Sequence, residues 1–149
     1  ERLGRAVGLT PRPDARWQEY DIGHLAGLRI EEIRAQYPAI YEAMTRPARH
    51  YVPMPGEEGA WPFRHRITAA WRDLLTERPD GPIAVVTHRA VMMGLICHFV
   101  GFPPERRSPF RFSNGSISVL EAGPDRVRLG RLNDTCHLRG SGEECRVWG

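Results

Sequence analysis

Residues 82–90, Pro-Ile-Ala-Val-Val-Thr-His-Arg-Ala, restrict the fold more than any other stretch of the chain. Ile83, Ala84, Val85 and Val86 follow Gly81-Pro82 without a polar interruption. Such a run reads as a short strand buried on both faces, as in a parallel sheet. From Ala90 the character changes. Val91, Leu95 and Phe99 recur at helical spacing with Met92 and Ile96 beside them, and Gly101 stands where the helix would end. His88 therefore falls at the carboxyl end of a buried strand, directly before a helix amino terminus. In open α/β sheets that crevice takes ligands, and the N–H groups of a helix start favour an anion. The competing reading is a histidine that merely hydrogen-bonds at a strand end.

A strand this apolar demands hydrogen-bonded neighbours on both edges and helices on both faces. The helices are easily found. Leu3, Ala6 and Val7 read as the last turns of a helix closed at Gly8. Residues 28–44 carry Ile30, Ile33, Tyr37, Ile40 and Tyr41 on one side and Arg29, Glu32, Arg34 and Gln36 on the other, with Pro38 expected to kink or split them. Ile67, Ala70, Trp71, Leu74 and Leu75 bury one stripe of a further helix. Strands are scarcer. Ser116 to Glu121 and Arg126 to Leu129 alternate around Gly123-Pro124-Asp125 as an antiparallel hairpin, and Gly130 predicts a bulge because Leu132 is out of phase. No parallel partner for residues 83–86 is found. With Glu1 falling inside a helical pattern, the expectation is that part of the domain lies outside these 149 residues. The unpaired edge then leaves homo-oligomerisation open.

Composition narrows the class. With 41% hydrophobic and 26% charged residues, the 149-residue chain suits one globular domain, residues 1–138, followed by a polar tail, residues 139–149. No apolar run approaches the roughly 18 residues of a membrane span, so a membrane partner is not expected. All 21 basic residues are Arg and are scattered among 18 acids, for a net charge of +3, so a nucleic-acid surface is poorly supported. Cys97, Cys136 and Cys145 form no CxxC pair, which points to a reducing cytoplasm and gives no tetrahedral zinc set with His137. Cys97 falls on an apolar helix face and reads as core.

Glu19 lies in a segment running from Trp17 to Gly23 and on to Gly27, where glycine turns free the backbone to approach a ligand; a solvated surface carboxylate is the plainer alternative. Residues 46–59 contain Pro47, Pro53, Pro55, Gly56 and Gly59 and form a long loop, of the kind that serves as a lid.

Several fragments, in this order, resemble the histidine phosphatase (phosphoglycerate mutase-like) superfamily: Glu19 through Gly27 with its Asp21-Ile22-Gly23-His24-Leu25, Tyr37-Pro38, Val86-Thr87-His88, Asn114-Gly115-Ser116 with Leu120-Glu121, and Leu132 through Leu138. The resemblance covers roughly residues 1–138. It implies an α/β fold, a three-layer sandwich whose mostly parallel sheet is flanked by helices, with an antiparallel hairpin near the carboxyl terminus. In the family an Arg-His-Gly motif supplies a nucleophilic histidine that carries the phosphoryl group. His88 matches the second pocket histidine, which contacts the phosphoryl oxygens, and Glu19 matches the carboxylate assigned general acid and base work. A cationic pocket plus one protonatable carboxylate suits phosphoryl transfer, so neither metal nor cofactor is implied.

Departures from the family pattern are equally definite. No Arg-His-Gly occurs: Arg49-His50 is followed by Tyr51, and Arg64-His65 by Arg66. Ala26 stands where the family often has Glu, and Arg89-Ala90 where it has glycines after the second histidine, although Arg89 can itself bind an anion. The expectation is a phosphatase for a small phosphomonoester, with its nucleophile outside these residues and inactive without it. Glu19 and His88 are the catalytic candidates; Arg89 and, on the lid, Arg46, Arg49 and His50 are the substrate-binding candidates. A mutase and a non-catalytic phosphate-binding or interaction module are the alternatives.

Overall fold

The computed structural model describes residues 2–45, 51–77, 81–106, 108–123 and 126–138. Along the described residues run α1 (Arg2–Val7), α2 (Ile30–Gln36), α3 (Pro38–Thr45), α4 (Ala60–Glu77) and α5 (Arg89–Phe99), then β1 (Ile117–Ala122) and β2 (Val127–Asp134). Pro38 splits the expected helix in two. Its missing N–H costs nothing at the first position of α3, and Glu32 closes the start of α2 by accepting the Arg29 N–H at 2.6 Å. Ile33 and Ile40, one from each half, bury with Leu25 against Ile22, Tyr37, Tyr41 and Met54. Ile30, expected on that face, is instead exposed, because it is the first residue of a seven-residue helix whose seam lies further along.

A second core joins the two longest helices. Phe63 and Ile67 of α4 pack on Val91 and Leu95 of α5, with Trp17, Tyr20, Trp71 and Phe99 around them. Gly94 lets the helices cross closely, since a Cβ there would lie 2.6 Å from Ile67 Cδ1 and 2.9 Å from Phe63 Cε1. Cys97 is free and buried beside this face, as its position predicts. Cys136 is disulfide-bonded, so the cysteines do not carry the expectation of a reducing compartment. No helix among the described residues is long and apolar enough to cross a membrane.

The hairpin forms as read. Val119 opposes Arg131 while Leu120 opposes Leu129, which leaves Gly130 as the extra residue of a bulge. Residues 83–86 depart from expectation. They stand in no ladder among the described residues, and Ile83 is 43% exposed and Val86 78%. The predicted burial on both faces fails because nothing described here pairs with the segment's edges or covers its outer face. Its inner face keeps the strand period: Ile83, Val85 and Thr87 all border one cavity of about 840 Å³. Ser118, Leu120 and Ala122 of β1, also two residues apart, border the same cavity, and Trp71, Leu74 and Leu75 of α4 and Leu95 of α5 roof it. Protein interiors pack to a density of about 0.74, so an open cavity of this size, lined largely by apolar side chains, has room for a further segment of chain. The parallel sheet expected around residues 83–86 is not present in the described chain; the observed sheet is the two-stranded β1–β2 hairpin.

Candidate active site

His88 is the N-cap of α5, with φ −114° and ψ 166°, and its side chain makes no capping hydrogen bond. The imidazole therefore projects at the amino terminus of the helix without being spent on it. Glu19 comes to the same place from 69 positions earlier. Its Oε1 accepts the Ala90 N–H at 3.2 Å and the Tyr20 N–H at 2.9 Å. A carboxylate accepting from the first turn of α5 occupies the electropositive end of that helix, one residue beyond Arg89. The structure thus brings Glu19, His88 and Arg89 together, all three exposed to solvent. Arg46, Arg49 and His50 lie outside the described residues.

What holds Glu19 there is a dense set of backbone anchors. Thr87 Oγ1, next to His88, donates to the Trp17 carbonyl at 2.7 Å. Arg66 on α4 donates to the carbonyls of Arg16, Gln18 and Glu19, and pairs with the Glu58 carboxylate. Glu58 in turn accepts the Asp21 N–H at 3.0 Å, and its own N–H donates to the Asp21 carbonyl at 3.1 Å.

The turn that follows is fitted against residues 55–57. His24 donates its N–H to the Pro55 carbonyl at 2.8 Å. Gly23 has φ 59°, and a Cβ on it would lie 2.3 Å from the Pro55 oxygen and from the Gly56 carbonyl carbon. Backbone cannot rotate aside as a side chain does. A Gly23→Ala substitution therefore combines the left-handed conformational penalty of about 1–2 kcal/mol with an overpacking cost of about 1–3 kcal/mol. Urea unfolding is expected to show at least about 2 kcal/mol of lost stability, and an unchanged midpoint would mean that this close approach is not maintained.

Beneath Glu19 the Tyr20 and Tyr51 hydroxyls share a 2.7 Å hydrogen bond. Burial, then the shared bond and the Glu57 carboxylate, raise the Tyr20 hydroxyl far above the ordinary tyrosine range. Burial, then Glu57, push Tyr51 up to about 12. Both phenols stay protonated, and in their shared bond one hydroxyl donates to the other, which ties the described end of the lid loop to the Glu19 segment. Sequence reading missed Arg66, Glu58 and Tyr51. One signal for Arg66 was present: it lies three residues after Phe63 and four before Ala70, a cation set in the apolar face of α4, which marks a paired charge. Tyr51 carried no such signal.

The cavity bordered by residues 83–87 is not lined by Glu19 or His88. It lies below them, against the apolar inner faces of residues 83–87 and β1, where core rather than chemistry belongs.

Comparison with known proteins gives the family and the fold. A family model described as "Histidine phosphatase superfamily (branch 1)" matches residues 1–135. Among curated proteins, phosphoserine phosphatase 1 of Hydrogenobacter thermophilus is 26% identical over 136 residues, 91% of this chain and 64% of that protein. The chain thus spans just under two thirds of that relative's length. Among solved structures, YhfR of Bacillus stearothermophilus superposes with a TM-score of 0.72 at 22% identity, over 85% of this chain and 62% of its own. A mycobacterial glucosyl-3-phosphoglycerate phosphatase in complex with inorganic phosphate superposes with a TM-score of 0.71 at 23% identity, over 89% of this chain and 69% of its own.

Proposed function

The chain belongs to the histidine phosphatase superfamily, and from that premise we propose that it forms the acid-base and phosphate-binding side of a pocket that hydrolyses a small phosphomonoester through a phosphohistidine. One observation carries the reading: the Glu19 carboxylate and His88 meet at the amino terminus of α5. The helix start, His88 and Arg89 supply positive donors for the equatorial oxygens of a transferring phosphoryl group. Glu19 supplies the proton that the leaving alkoxide needs when the P–O bond breaks, then takes one from the water that attacks the phosphohistidine. Inorganic phosphate departs and the nucleophile is free again.

The nucleophilic histidine belongs, on this proposal, to polypeptide outside these 149 residues, since no Arg-His-Gly occurs in them. The unpaired edge of residues 83–87 is the seat for a strand that would carry it, because a strand beside that edge gives those residues a hydrogen-bonded neighbour. The lid candidates Arg46, Arg49 and His50 are assigned to the part of the substrate beyond its phosphoryl group. A rapid-quench experiment on the complete protein with a ³²P-labelled phosphomonoester tests the pathway. The expected intermediate is a phosphoprotein stable to alkali and labile to acid, with one inorganic phosphate released per alcohol. Absence of that intermediate, or delivery of the label to a second substrate hydroxyl, would overturn the assignment.

A further inference from the structure

We infer that Arg66, locked by Glu58, is the positioning residue that aims the Glu19 carboxylate at the reacting phosphate ester; the inference rests on the reading of Glu19 as the acid.

Arginine has five N–H donors in a rigid fork, and Arg66 places all five. Its Nε donates to Glu58 Oε2 at 3.0 Å, and one terminal nitrogen donates to Glu58 Oε1 at 2.5 Å and to the Glu19 carbonyl at 3.4 Å. The other terminal nitrogen donates to the Arg16 carbonyl at 2.9 Å and the Gln18 carbonyl at 3.1 Å. Three carbonyls of the segment that presents Glu19 thus converge on one guanidinium. The group is itself fixed: its carbon lies 5.1 Å from the centroid of the Phe63 ring, which also meets Tyr20 edge-on at 5.0 Å. Both members of the ion pair are largely withdrawn from solvent, with side-chain exposures of 23% for Arg66 and 18% for Glu58. Glu58 repeats the grip one step along by binding both the N–H and the carbonyl of Asp21. Residues 16–21 have no helix or strand ladder beyond the single turn Ala15–Trp17, so their backbone shape depends on these contacts. A lysine at position 66 has three donors on a flexible stem and cannot meet two carboxylate oxygens and three carbonyls together.

Proton donation sets the distinguishing readout. A general acid matters most for a leaving group of high pKa and little for one that departs readily as an anion. The complete protein and its variants Arg66→Met, Arg66→Lys, Glu58→Gln and Glu19→Gln would be assayed on an alkyl phosphate and on p-nitrophenyl phosphate. Glu19→Gln should lower kcat on the alkyl ester by about 10²–10⁴-fold, the range for one acid-base group, and spare the nitrophenyl ester. Arg66→Met and Glu58→Gln should reproduce that selectivity at about 10–100-fold, the loss a misplacement near 1 Å brings, with KM little changed, and Arg66→Lys should restore only part. If Glu19→Gln shows no leaving-group selectivity, the acid assignment itself fails. If Glu19→Gln shows it but the Arg66 and Glu58 variants lower both esters equally, or only lower Tm, the pair is merely structural and this inference is overturned. Should Arg66→Met not fold, Arg66→Lys and Glu58→Gln decide the matter by the same criterion.

Discussion

Residues 1–149 on their own are expected to release no measurable inorganic phosphate from an aryl phosphate, and the complete polypeptide carrying the nucleophile is expected to turn the same substrate over. On the proposed pathway, capture and release of the phosphoryl group both pass through the nucleophile, so a pocket with Glu19 and His88 alone would retain only electrostatic binding. The same experiment reads the fold. Backbone groups of residues 82–87 make no backbone hydrogen bond to the other described residues, and an unpaired strand edge invites pairing with another chain. Size-exclusion chromatography should therefore show the isolated fragment associating or aggregating. In the complete protein the amides of residues 83–86 should gain hydrogen-exchange protection and the polypeptide should run as a defined species. Turnover by the fragment that survives His88→Ala would place the chemistry elsewhere.

The helical part of this outcome was legible in the sequence because helix signals are local. The apolar stripe of Ile67 and Ala70, the run of Val91 to Ile96, the split at Pro38 and the stop at Gly101 each depend on a few neighbouring residues, and the structure places each of them as read. The bulge at Gly130 was equally local, visible as a phase slip between Leu129 and Leu132. Residues 83–86 were different. Their pattern stated what they require, neighbours on both edges, and whether those exist is a property of distant chain. So the segment reads as a buried strand and is found half exposed beside a cavity. For the site, His88 was legible locally as the residue between a strand pattern and a helix start, whereas Glu19 was found through the resemblance of its surroundings, since a carboxylate between glycine turns carries no signal that distinguishes it from a solvated one. The anchors' roles were hidden, even though the place of Arg66 on the apolar face of α4 marked a paired charge, because the partners of Arg66 and Glu58 are mostly backbone carbonyls and N–H groups, which every residue type supplies.

Within the complete protein, His88→Ala is expected to lower kcat by about 10²–10³-fold, the loss that follows removal of one donor aimed at charge developing in a transition state. The position suits the test because fold and chemistry separate there. His88 is exposed, its backbone is extended, a conformation any residue adopts, and its imidazole makes no capping bond to α5. The Glu19 carboxylate instead holds the Ala90 N–H, so α5 keeps its amino-terminal acceptor when the imidazole is removed. Stability should therefore shift by no more than about 0.5 kcal/mol, as for an ordinary surface substitution, while the affinity for inorganic phosphate falls together with kcat. His88→Gln, which keeps one N–H donor in reach, should recover part of the loss. A variant that loses less than ten-fold in kcat at unchanged stability would remove His88 from the pocket's working groups. A parallel fall in Tm would instead show that the imidazole supports the junction between residues 83–87 and α5 rather than the phosphoryl group.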